Sequence, residues 1–461
     1  MVSHGLLNSG KISAVFRRNG FMTENTSATA QPQFTRWSLA LYSGLLYLFT
    51  PLILLYFWRQ GRRNPAYRAR LDERFGKHKI PDRYCGGVVF HCVSVGEFLA
   101  ARAMIQRFIQ RHPHTPVIIT SMTPTASELI EKTFAARAFH CYLPIDTPTA
   151  VSRFLNQAKP LSIVVLETEL WPNLVHQCRR RKTPIVLVNG RMSEQSMRGY
   201  VRLDWLFKQV WGALDFCGAQ TESAAQRFQR IGVPADKVDV VGNLKFDISC
   251  SEKLRNEIKD YKALFGERPI ITAGSTHEGE EVQLLKAFTS VLKQHPTALF
   301  ILVPRHQERF QAVAELVEQR GFKYVRRSAG VPVLPTTQVL LADTMGELML
   351  WYGVANVAFV GGSLITRGGH NPLEPLALAV PIVSGTHVFN FQEVYDQLDS
   401  LEAVNWVTAD DQLDLVLERL LDDENAQLKT AHAQSLFAQH EGATDRYLDL
   451  IDDFLERSGD E

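Results

Sequence analysis

Several motifs that would define a reaction class are missing from this sequence of 461 residues. It has no G-x-G-x-x-G dinucleotide pattern, no P-loop, no G-x-S-x-G nucleophile elbow and no H-E-x-x-H helix. It also has no D-x-D motif, so the acidic pair that would bind a metal–diphosphate group in that way is missing. These absences argue against several common nucleotide-binding, hydrolase and metalloenzyme classes.

Neither the net charge nor the spacing of the cysteines indicates a familiar kind of functional site. The formal net charge is only +1, so no global field favours nucleic acid as a partner. No C-x-x-C pair occurs, which argues against a zinc site and a disulfide framework and favours a reducing compartment. The six cysteines are scattered along the chain: Cys85, Cys92, Cys141, Cys178, Cys217 and Cys250. A chain of this length with 45% hydrophobic residues indicates two or three domains.

The longest apolar run, Trp37–Trp58, carries no charge and has aromatic residues at both ends. As a helix it is long enough to cross the hydrocarbon core of a bilayer. A basic cluster follows it: Arg59, Arg62, Arg63, Arg68, Arg70, Arg74, Lys77 and Lys79. The positive-inside rule then predicts a single-pass N-terminal anchor, with everything downstream in the cytoplasm. The alternative is a buried hydrophobic helix with a solvated basic face.

The first 36 residues precede this run and are polar and irregular. Residues Thr23–Gln33 have a disorder-like composition. Met22 offers a shorter translation start, and one sequence does not decide between Met1 and Met22.

From Gly86 onward, apolar strand-like runs alternate with helix-like segments such as Glu97–Arg111 and Glu280–Gln294. This alternation predicts an α/β fold with parallel sheets. The runs fall into two series, separated by a polar crossing at Ser251–Pro269. They are Val88–Val95, Val117–Thr120, Ile163–Leu166, Ile185–Val188 and Val238–Val241, then Ile270–Ala273, Leu299–Val303, Val339–Leu341, Val357–Val360 and Ile382–Ser384.

Two Rossmann-like domains are therefore expected, over residues 59–250 and 251–461. If they face one cleft, ligands would bind at the carboxyl ends of the strands. The tail Asp410–Glu456 has a helical pattern, and we expect it to cap the second domain.

The stretch Phe359–Pro381 organises the second half of the chain. An apolar run ends in Gly361-Gly362, and a second glycine pair leads into His370 and Asn371. Asn371 is predicted to cap a helix that starts at Pro372, with Glu374 in its first turn. Such a helix start suits a phosphate, and Glu374 could accept hydrogen bonds from sugar hydroxyls. The alternative is an ordinary strand–loop–helix corner.

Polar side chains also follow other predicted strands. Glu97 follows the first strand and is a candidate general base, although a helix-start glutamate that only caps its helix is the alternative. Glu167 follows another strand, and the same alternative applies. Lys245 ends the last strand of the first series, where a phosphate partner and a plain surface position are both open.

In the second series, Arg305 and His306 follow a strand. The arginine fork suits a phosphate or a base edge, and a surface ion pair is the alternative. Residues Gly346, Glu347 and Leu348 lie at a helix start, where backbone groups are free, or they form a plain cap.

Eight ordered motifs resemble a known family. They are HCVSVGE, ETELWPN, NGRMS, GNLKFD, AGSTHEGEE, LVPRHQERF, DTMGEL and GGSLITRGGHNPLEP. In this order they resemble the bacterial transferases of 3-deoxy-D-manno-octulosonic acid (Kdo) in lipid A and lipopolysaccharide synthesis. The resemblance covers nearly the whole chain after the apolar run.

The resemblance implies a GT-B fold and an inverting glycosyltransferase that moves Kdo from CMP-Kdo to the lipid A precursor, lipid IVA, at the inner membrane. It implies no cofactor and no catalytic metal. Glu97 matches the proton acceptor, and Glu167 and Lys245 match residues that stabilise the transition state. The segments that match the CMP-binding residues are Arg305 with His306, Gly346 to Leu348, and Asn371, Pro372, Leu373 and Glu374.

The residues alone leave two other hypotheses about the function open. One is another GT-B enzyme that uses a UDP-sugar, either a glycosyltransferase or an epimerase. The other is a membrane-tethered nucleotide-sugar sensor without chemistry. An epimerase function would not explain the membrane segment, and a sensor function would not explain Glu97. The number of Kdo units, the acyl preference and the oligomeric state are not encoded in any motif we recognise.

Overall fold

The computed structural model describes residues 36–62, 64–248, 250–408 and 412–459. The disorder-like stretch and Met22 lie outside these residues. Within them, the chain folds into two compact units. The first contains residues up to Asp247 together with the segment from Gly442 to the C-terminus, and the second runs from Ile248 to Glu441.

The first unit begins with the apolar helix α1 (Arg36–Gln60) and the short helix α2 (Leu71–Arg74). Its strands are β1 (Val88–His91), β2 (Val117–Ser121), β3 (Phe139–Tyr142), β4 (Ser162–Leu166), β5 (Ile185–Gly190), β6 (Phe216–Ala219) and β7 (Val238–Val240). Its further helices are α3 (Val95–Arg111), α4 (Pro124–Phe134), α5 (Pro148–Ala158), α6 (Pro172–Arg181), α7 (Glu194–Arg202), α8 (Asp204–Trp211) and α9 (Glu222–Arg230).

The second unit has the strands β8 (Ile270–Thr276), β9 (Leu299–Pro304), β10 (Tyr324–Arg326), β11 (Val339–Leu341), β12 (Val357–Val360), β13 (Ile382–Gly385) and β14 (Val404–Val407). Its helices are α10 (Glu252–Phe265), α11 (Glu280–Gln294), α12 (Phe310–Gln319), α13 (Leu348–Val354), α14 (Leu373–Ala377), α15 (Gln392–Ser400), α16 (Leu413–Leu421) and α17 (Glu424–Phe437). The last helix, α18 (Ala443–Gly459), belongs to the first unit.

Each unit contains one parallel sheet of seven strands. The first has the order β3-β2-β1-β4-β5-β6-β7, and the second has the order β10-β11-β9-β8-β12-β13-β14. Hydrophobic side chains from both faces of each sheet pack against helices, because strands buried on both sides need two covering layers. The predicted pair of doubly wound, Rossmann-like units of the GT-B type is thus confirmed.

The strand order fixes where ligands can bind. In the first sheet β1 lies beside β4, and in the second β8 lies beside β12. At these two places the chain reverses its direction of winding, which leaves a crevice at the carboxyl ends of the strands. Glu97 and Glu167 follow the first pair of strands, and His277 and Gly361 follow the second pair.

Several predicted boundaries were wrong. The first strand ends at His91 rather than Val95, because the Ser94 hydroxyl accepts a hydrogen bond from the Glu97 N–H and starts α3 there. The polar crossing contains a helix, α10, that packs on α13 in the second unit. The expected strand at Val238–Val241 is an edge strand whose side chains are mostly exposed.

The tail was also predicted to cap the second domain, but its last helix packs on the first unit. The Asp247 carboxylate accepts hydrogen bonds from the N–H groups of Gly442 and Thr444, both at 2.6 Å, and so starts α18. The buried Tyr447 hydroxyl donates to the backbone oxygens of Gly218 and Gly242 at 3.0 Å. The boundary at residue 250 is therefore close to the observed one, but the assignment of the last residues to the second domain was wrong.

Candidate active site

Glu97 lies in the first turn of α3, close to the carboxyl end of β1. Its Oε2 accepts a hydrogen bond from the Val93 N–H at 2.7 Å, and its Oε1 accepts one from the Ser94 hydroxyl at 3.2 Å. The Glu97 N–H donates in return to Ser94 Oγ at 3.4 Å. This is a variant of the capping box in which the carboxylate accepts the N–H before the N-cap Ser94, so Glu97 has a structural role at the helix start.

The same carboxyl group has an unusual affinity for protons. The pKa of Glu97 is raised to about 7, chiefly by burial and also by the negative charges of Glu167 and Glu169, although the hydrogen bond from Val93 opposes the shift. A carboxylate whose pKa lies near neutrality is suited to take a proton from a hydroxyl group. The cap and the candidate base are thus the same side chain.

Glu167 directly follows β4, beside Glu97. Its backbone has a φ of 59°, a left-handed conformation that is costly for a residue with a side chain. Its N–H donates to the Val188 oxygen at 3.0 Å, which continues the pairing with β5. One carboxylate oxygen lies 3.5 Å from Lys245 Nζ, so the two residues form an ion pair.

A polar network that was not predicted positions Lys245. The buried Asn189, at the end of β5, accepts the Leu244 N–H on its Oδ1 at 2.9 Å. The Asn243 side chain accepts the Lys245 N–H at 2.9 Å and donates to Gln220 at 3.2 Å. Asn189 has a φ of 56°. The motifs NGRMS and GNLKFD contain Asn189 and Asn243, but neither residue has a property in the sequence that marks it as a support.

In the second unit, Glu280 holds the glycine loop after β12. This carboxylate is fully buried and accepts hydrogen bonds from the N–H groups of Gly362, Ser363 and Leu364 at 2.8, 3.1 and 3.1 Å. It also accepts the His277 N–H at 3.0 Å. Four donors on one carboxylate fix the loop, because each would otherwise lose its partner in a buried place.

The glycines of this loop are needed for packing and for backbone conformation. A Cβ atom on Gly361 would lie 2.4 Å from the Ser275 carbonyl oxygen. Gly362 has a φ of 71°, which a side chain would make costly. Paired glycines also let a ligand approach the backbone closely. The structure adds that the neighbouring strand already requires Gly361.

Three histidines gather between the ends of β8, β9 and β12. The Nε2 atoms of His277 and His370 lie 2.8 Å apart, and the rings of His277 and His306 have centroids 5.3 Å apart. The pKa values of His277 and His370 are lowered to about 4, chiefly by burial, with smaller contributions from neighbouring histidines and from Arg305. Both imidazoles are therefore neutral at pH 7, while the arginine supplies positive charge. His277 and His370 had no predicted role.

Glu374 lies beside this cluster. Burial raises its pKa to about 7, while Arg305 opposes the shift. Arg305 and His306 are both exposed. An exposed guanidinium beside neutral imidazoles and a carboxyl of near-neutral pKa can bind an anion and accept or donate hydrogen bonds at neighbouring hydroxyls.

The helix start predicted at Pro372 was wrong by one residue. The helix α14 begins at Leu373 and has only 5 residues, with Pro372 at the capping position. Asn371 nevertheless accepts the Leu373 N–H on its Oδ1 at 3.1 Å, so its predicted role as the side chain that caps the turn holds.

At the other predicted helix start, residues 346–348, the Glu347 side chain is bonded to neighbouring residues. Gly346 has a φ of 87°, and α13 begins at Leu348. The Glu347 carboxylate accepts a hydrogen bond from Arg327 at 2.9 Å and one from the Thr344 hydroxyl. The Glu347 carboxylate is thus already engaged by Arg327 and Thr344.

The structure therefore brings the predicted residues together in two groups. Glu97, Glu167 and Lys245 lie at the strand ends of the first unit. Arg305, His306 and Glu374 lie at those of the second unit, together with His277 and His370. Residues 346–348 follow β11, which is separated from β8 by β9.

Comparison with known sequences identifies relatives over most of the chain. Residues 69–248 match the family described as 3-Deoxy-D-manno-octulosonic-acid transferase (kdotransferase). A 3-deoxy-D-manno-octulosonic acid transferase from Haemophilus influenzae is 38% identical over 90% of this chain and 99% of its own length. The enzyme of the same description from Bordetella pertussis is 34% identical, over 90% of this chain and 99% of its own length.

Solved structures give weaker overall superpositions. The C-terminal CMP-Kdo binding domain of WaaA from Acinetobacter baumannii is 37% identical, with a TM-score of 0.35, over 41% of this chain and 98% of that domain. A UDP-GlcNAc 2-epimerase from Neisseria meningitidis is 14% identical, with a TM-score of 0.40, over 80% of this chain and 100% of its own length.

Proposed function

This chain belongs to the family of 3-deoxy-D-manno-octulosonic acid transferases, and we propose that it transfers Kdo from CMP-Kdo to the lipid A precursor, lipid IVA. The family makes the protein a Kdo glycosyltransferase of lipopolysaccharide synthesis. The donor, the acceptor, the site residues and their roles are the parts that we propose.

The observation that carries the mechanism is the proton affinity of Glu97. Transfer of Kdo requires an acceptor hydroxyl to lose its proton as it attacks the anomeric carbon. Glu97 has a pKa of about 7, so at neutral pH a large fraction is ionised and able to accept that proton. A carboxylate with an ordinary pKa would be a weaker base at the same place.

Lys245 and Glu167 are proposed to stabilise the transition state. Departure of CMP develops positive character on the sugar ring and negative charge on the phosphate. A carboxylate suits the first charge and an ammonium group suits the second. Their ion pair, at 3.5 Å, keeps both charges at one strand end before substrate binds.

Arg305, His306, Glu374 and the backbone at 346–348 and 371–373 are proposed to bind CMP. Arg305 provides an exposed guanidinium for the phosphate. Glu374 is placed to accept hydrogen bonds from ribose hydroxyls. The second-unit residues would thus bind the donor, and the first-unit residues would activate the acceptor.

We also propose that the protein works at the cytoplasmic side of the inner membrane, where α1 attaches it. The helix from Trp37 to Gln60 is long and apolar enough for contact with a bilayer, with a mean hydropathy of 1.8. An acceptor that carries acyl chains stays in the membrane, so an attached enzyme meets it without extracting it.

The proposal is tested by incubating the full chain with CMP-Kdo and lipid IVA in mixed micelles. Mass spectrometry of the lipid should show the addition of Kdo with release of one CMP for each sugar. UDP-GlcNAc, assayed in parallel, should give neither a glycolipid nor an epimer. Turnover of UDP-GlcNAc without Kdo transfer would overturn the proposal in favour of a UDP-sugar enzyme. Binding of CMP-Kdo without any product would favour a sensor.

A further inference from the structure

Helix α1 contacts the first unit at both of its ends and in its middle. The indole of Trp37 stacks on that of Trp205 with ring centroids 5.3 Å apart. The Ser43 hydroxyl donates to the Asn173 side chain at 3.1 Å. At the other end, the guanidinium of Arg74 lies 4.3 Å from the centre of the Phe57 ring. From Trp37 to Phe57 the helix rises by about 30 Å, which is the thickness of a bilayer hydrocarbon core.

The two sides of α1 differ in chemistry. The side that faces the unit carries the buried hydroxyl of Ser43, which is 8% exposed. Thr50, on the same side, is partly buried. The opposite side is apolar and uncovered over the same length. Its exposed side chains include Leu41, Leu45, Leu48, Leu52, Leu55 and Tyr56.

The protein surface under α1 is polar. Asp146, which is 2% exposed, accepts hydrogen bonds from the N–H groups of Asn173 and Leu174 at 2.8 Å. An open cavity of about 930 Å³ lies beside the first half of the helix. It is lined by Leu39, Ala40, Ser43, Pro148, Thr149, Ser152, Asn173, His176, Gln177 and Arg180.

These contacts are incompatible with a helix that crosses the bilayer along its normal. Trp205 and Arg74 would then lie at opposite sides of the hydrocarbon core. Asp146 and the cavity with Arg180, which adjoin the helix between its ends, would lie within the core. Ionisable groups and irregular polar backbone avoid that region because nothing there can solvate them.

We propose that α1 lies in the plane of the membrane surface, with its polar side on the first unit and its apolar side in one leaflet of the bilayer. The chain then enters the membrane without crossing it, in contrast to the single-pass anchor that the sequence predicts. The inference rests on the proposed membrane location, but not on the transfer reaction.

The residues at both ends of α1 suit this placement. Trp37 and Trp58 are half exposed, and tryptophan prefers the boundary between headgroups and acyl chains. Arg62 and Arg68 lie over the Trp58 ring, with their guanidinium carbons 4.1 and 5.3 Å from its centre. A lipid leaflet with anionic headgroups matches an apolar strip that ends in arginines. A second copy of this chain would leave the arginines facing each other.

The test measures the depth of three positions on the apolar side. Leu41→Cys, Leu48→Cys and Leu55→Cys are each labelled with a nitroxide in a Cys85→Ser, Cys250→Ser background. The four remaining native cysteines are 0% exposed and should not react. The labelled full-length chain is reconstituted into vesicles of phosphatidylethanolamine and phosphatidylglycerol. Collision rates with oxygen and with a water-soluble nickel complex then give each depth. Leu428→Cys calibrates the signal of a label in water, because Leu428 and Leu48 are both 69% exposed.

The three positions are separated along the helix by roughly 10 Å each. An in-plane helix predicts nearly equal depths for all three. A spanning helix predicts that the label at position 48 is about 10 Å deeper than the other two, and this result would overturn the topology but leave the membrane location intact. Labels that are all accessible to the nickel complex would overturn both. Labels that are shielded from both reagents would show a second copy on this face and would also overturn the inference.

Discussion

The imidazoles of His277 and His370 are stacked, with their ring centroids 5.1 Å apart and their Nε2 atoms 2.8 Å apart. One ring must donate its proton to the other, and both pKa values are lowered to about 4. At neutral pH this pair is therefore uncharged. The positive charge of the proposed donor site then comes from its arginines, which makes Arg305 the sharper target for mutation.

We expect Arg305→Ala and Glu374→Ala each to weaken CMP binding by about 1–3 kcal/mol, the value of a charge-assisted hydrogen bond. Arg320→Ala serves as the control, because Arg320 is also an exposed arginine of the second unit but lies at the far end of α12. Isothermal titration calorimetry with CMP measures the effect. If both site variants bind CMP as tightly as the control, the nucleotide binds elsewhere.

A second prediction concerns the glycine loop. Glu280→Gln keeps the size of the side chain, but it replaces one acceptor oxygen by an NH₂ group that faces backbone N–H groups. Each N–H that loses its buried partner costs about 1–3 kcal/mol, so the free energy of unfolding should fall by at least that much. CMP binding should weaken too, because the loop connects β12 to His370.

The control for this variant is Glu278→Gln, since Glu278 is exposed and two residues away. Thermal unfolding and CMP titration of both variants give the comparison. Equal stability of the two would show that the carboxylate does not hold the loop.

A third prediction concerns metal ions. The sequence has no D-x-D motif, and Arg305 is the group that we propose neutralises the phosphate charge. We therefore expect the rate of Kdo transfer to change little when an excess of EDTA is added. A large loss of rate that Mg²⁺ restores would show that a metal neutralises the phosphate instead.

The sequence predicted the architecture of the two sheets well, because buried parallel strands are written as continuous apolar runs. Val339–Leu341 and Val357–Val360 were located at their observed bounds. The missed strand Tyr324–Arg326 is short and only partly buried. The missed strands Phe139–Tyr142 and Phe216–Ala219 are buried, but His, Cys or Gly interrupts their apolar runs. The unit that α18 packs against was not predictable, because the pattern of an amphipathic helix does not indicate which surface its apolar side will contact.

The location of a candidate site residue was predictable where its chemistry is visible from its position at a strand end, as for Glu97 and Arg305, whose proposed roles stay predictions. It was not predictable where a role depends on burial. Glu280 looks like one more acidic residue at a helix start, and only the fold shows that four N–H groups converge on it. The contact of Ser43 with Asn173 was hidden for the same reason within an apolar run.

The pH dependence of the reaction gives a direct view of Glu97. A base acts only when it is deprotonated, and the folded-state pKa of Glu97 is raised to about 7. The value of kcat/KM should therefore increase tenfold per pH unit below pH 7 and level off above it. A profile that is already flat from pH 5 upward would mean that the essential base has an ordinary carboxylate pKa.

Substitution of Glu97 separates its two roles. Glu97→Gln keeps polarity and size but cannot accept the proton, so kcat should fall by about 10²–10⁴-fold. CMP affinity should barely change, because the nucleotide is assigned to residues of the second unit. Glu97→Asp should also be slow, since a shorter side chain withdraws the carboxylate from the hydroxyl. The measurement is kcat per folded molecule, with CMP binding checked in parallel.

The capping box makes a control necessary, because loss of a cap lowers stability by about 1 kcal/mol even without a catalytic role. Glu222 also lies in the first turn of a helix, directly after Thr221, the N-cap of α9, and so serves as a helix-start glutamate outside the site. Glu222→Gln should leave kcat unchanged. If Glu97→Gln only destabilises the protein and its folded fraction turns over normally, Glu97 is a cap and not the base. Glu167 would then be the next candidate, because it lies at the adjacent strand end and its charge already influences the pKa of Glu97.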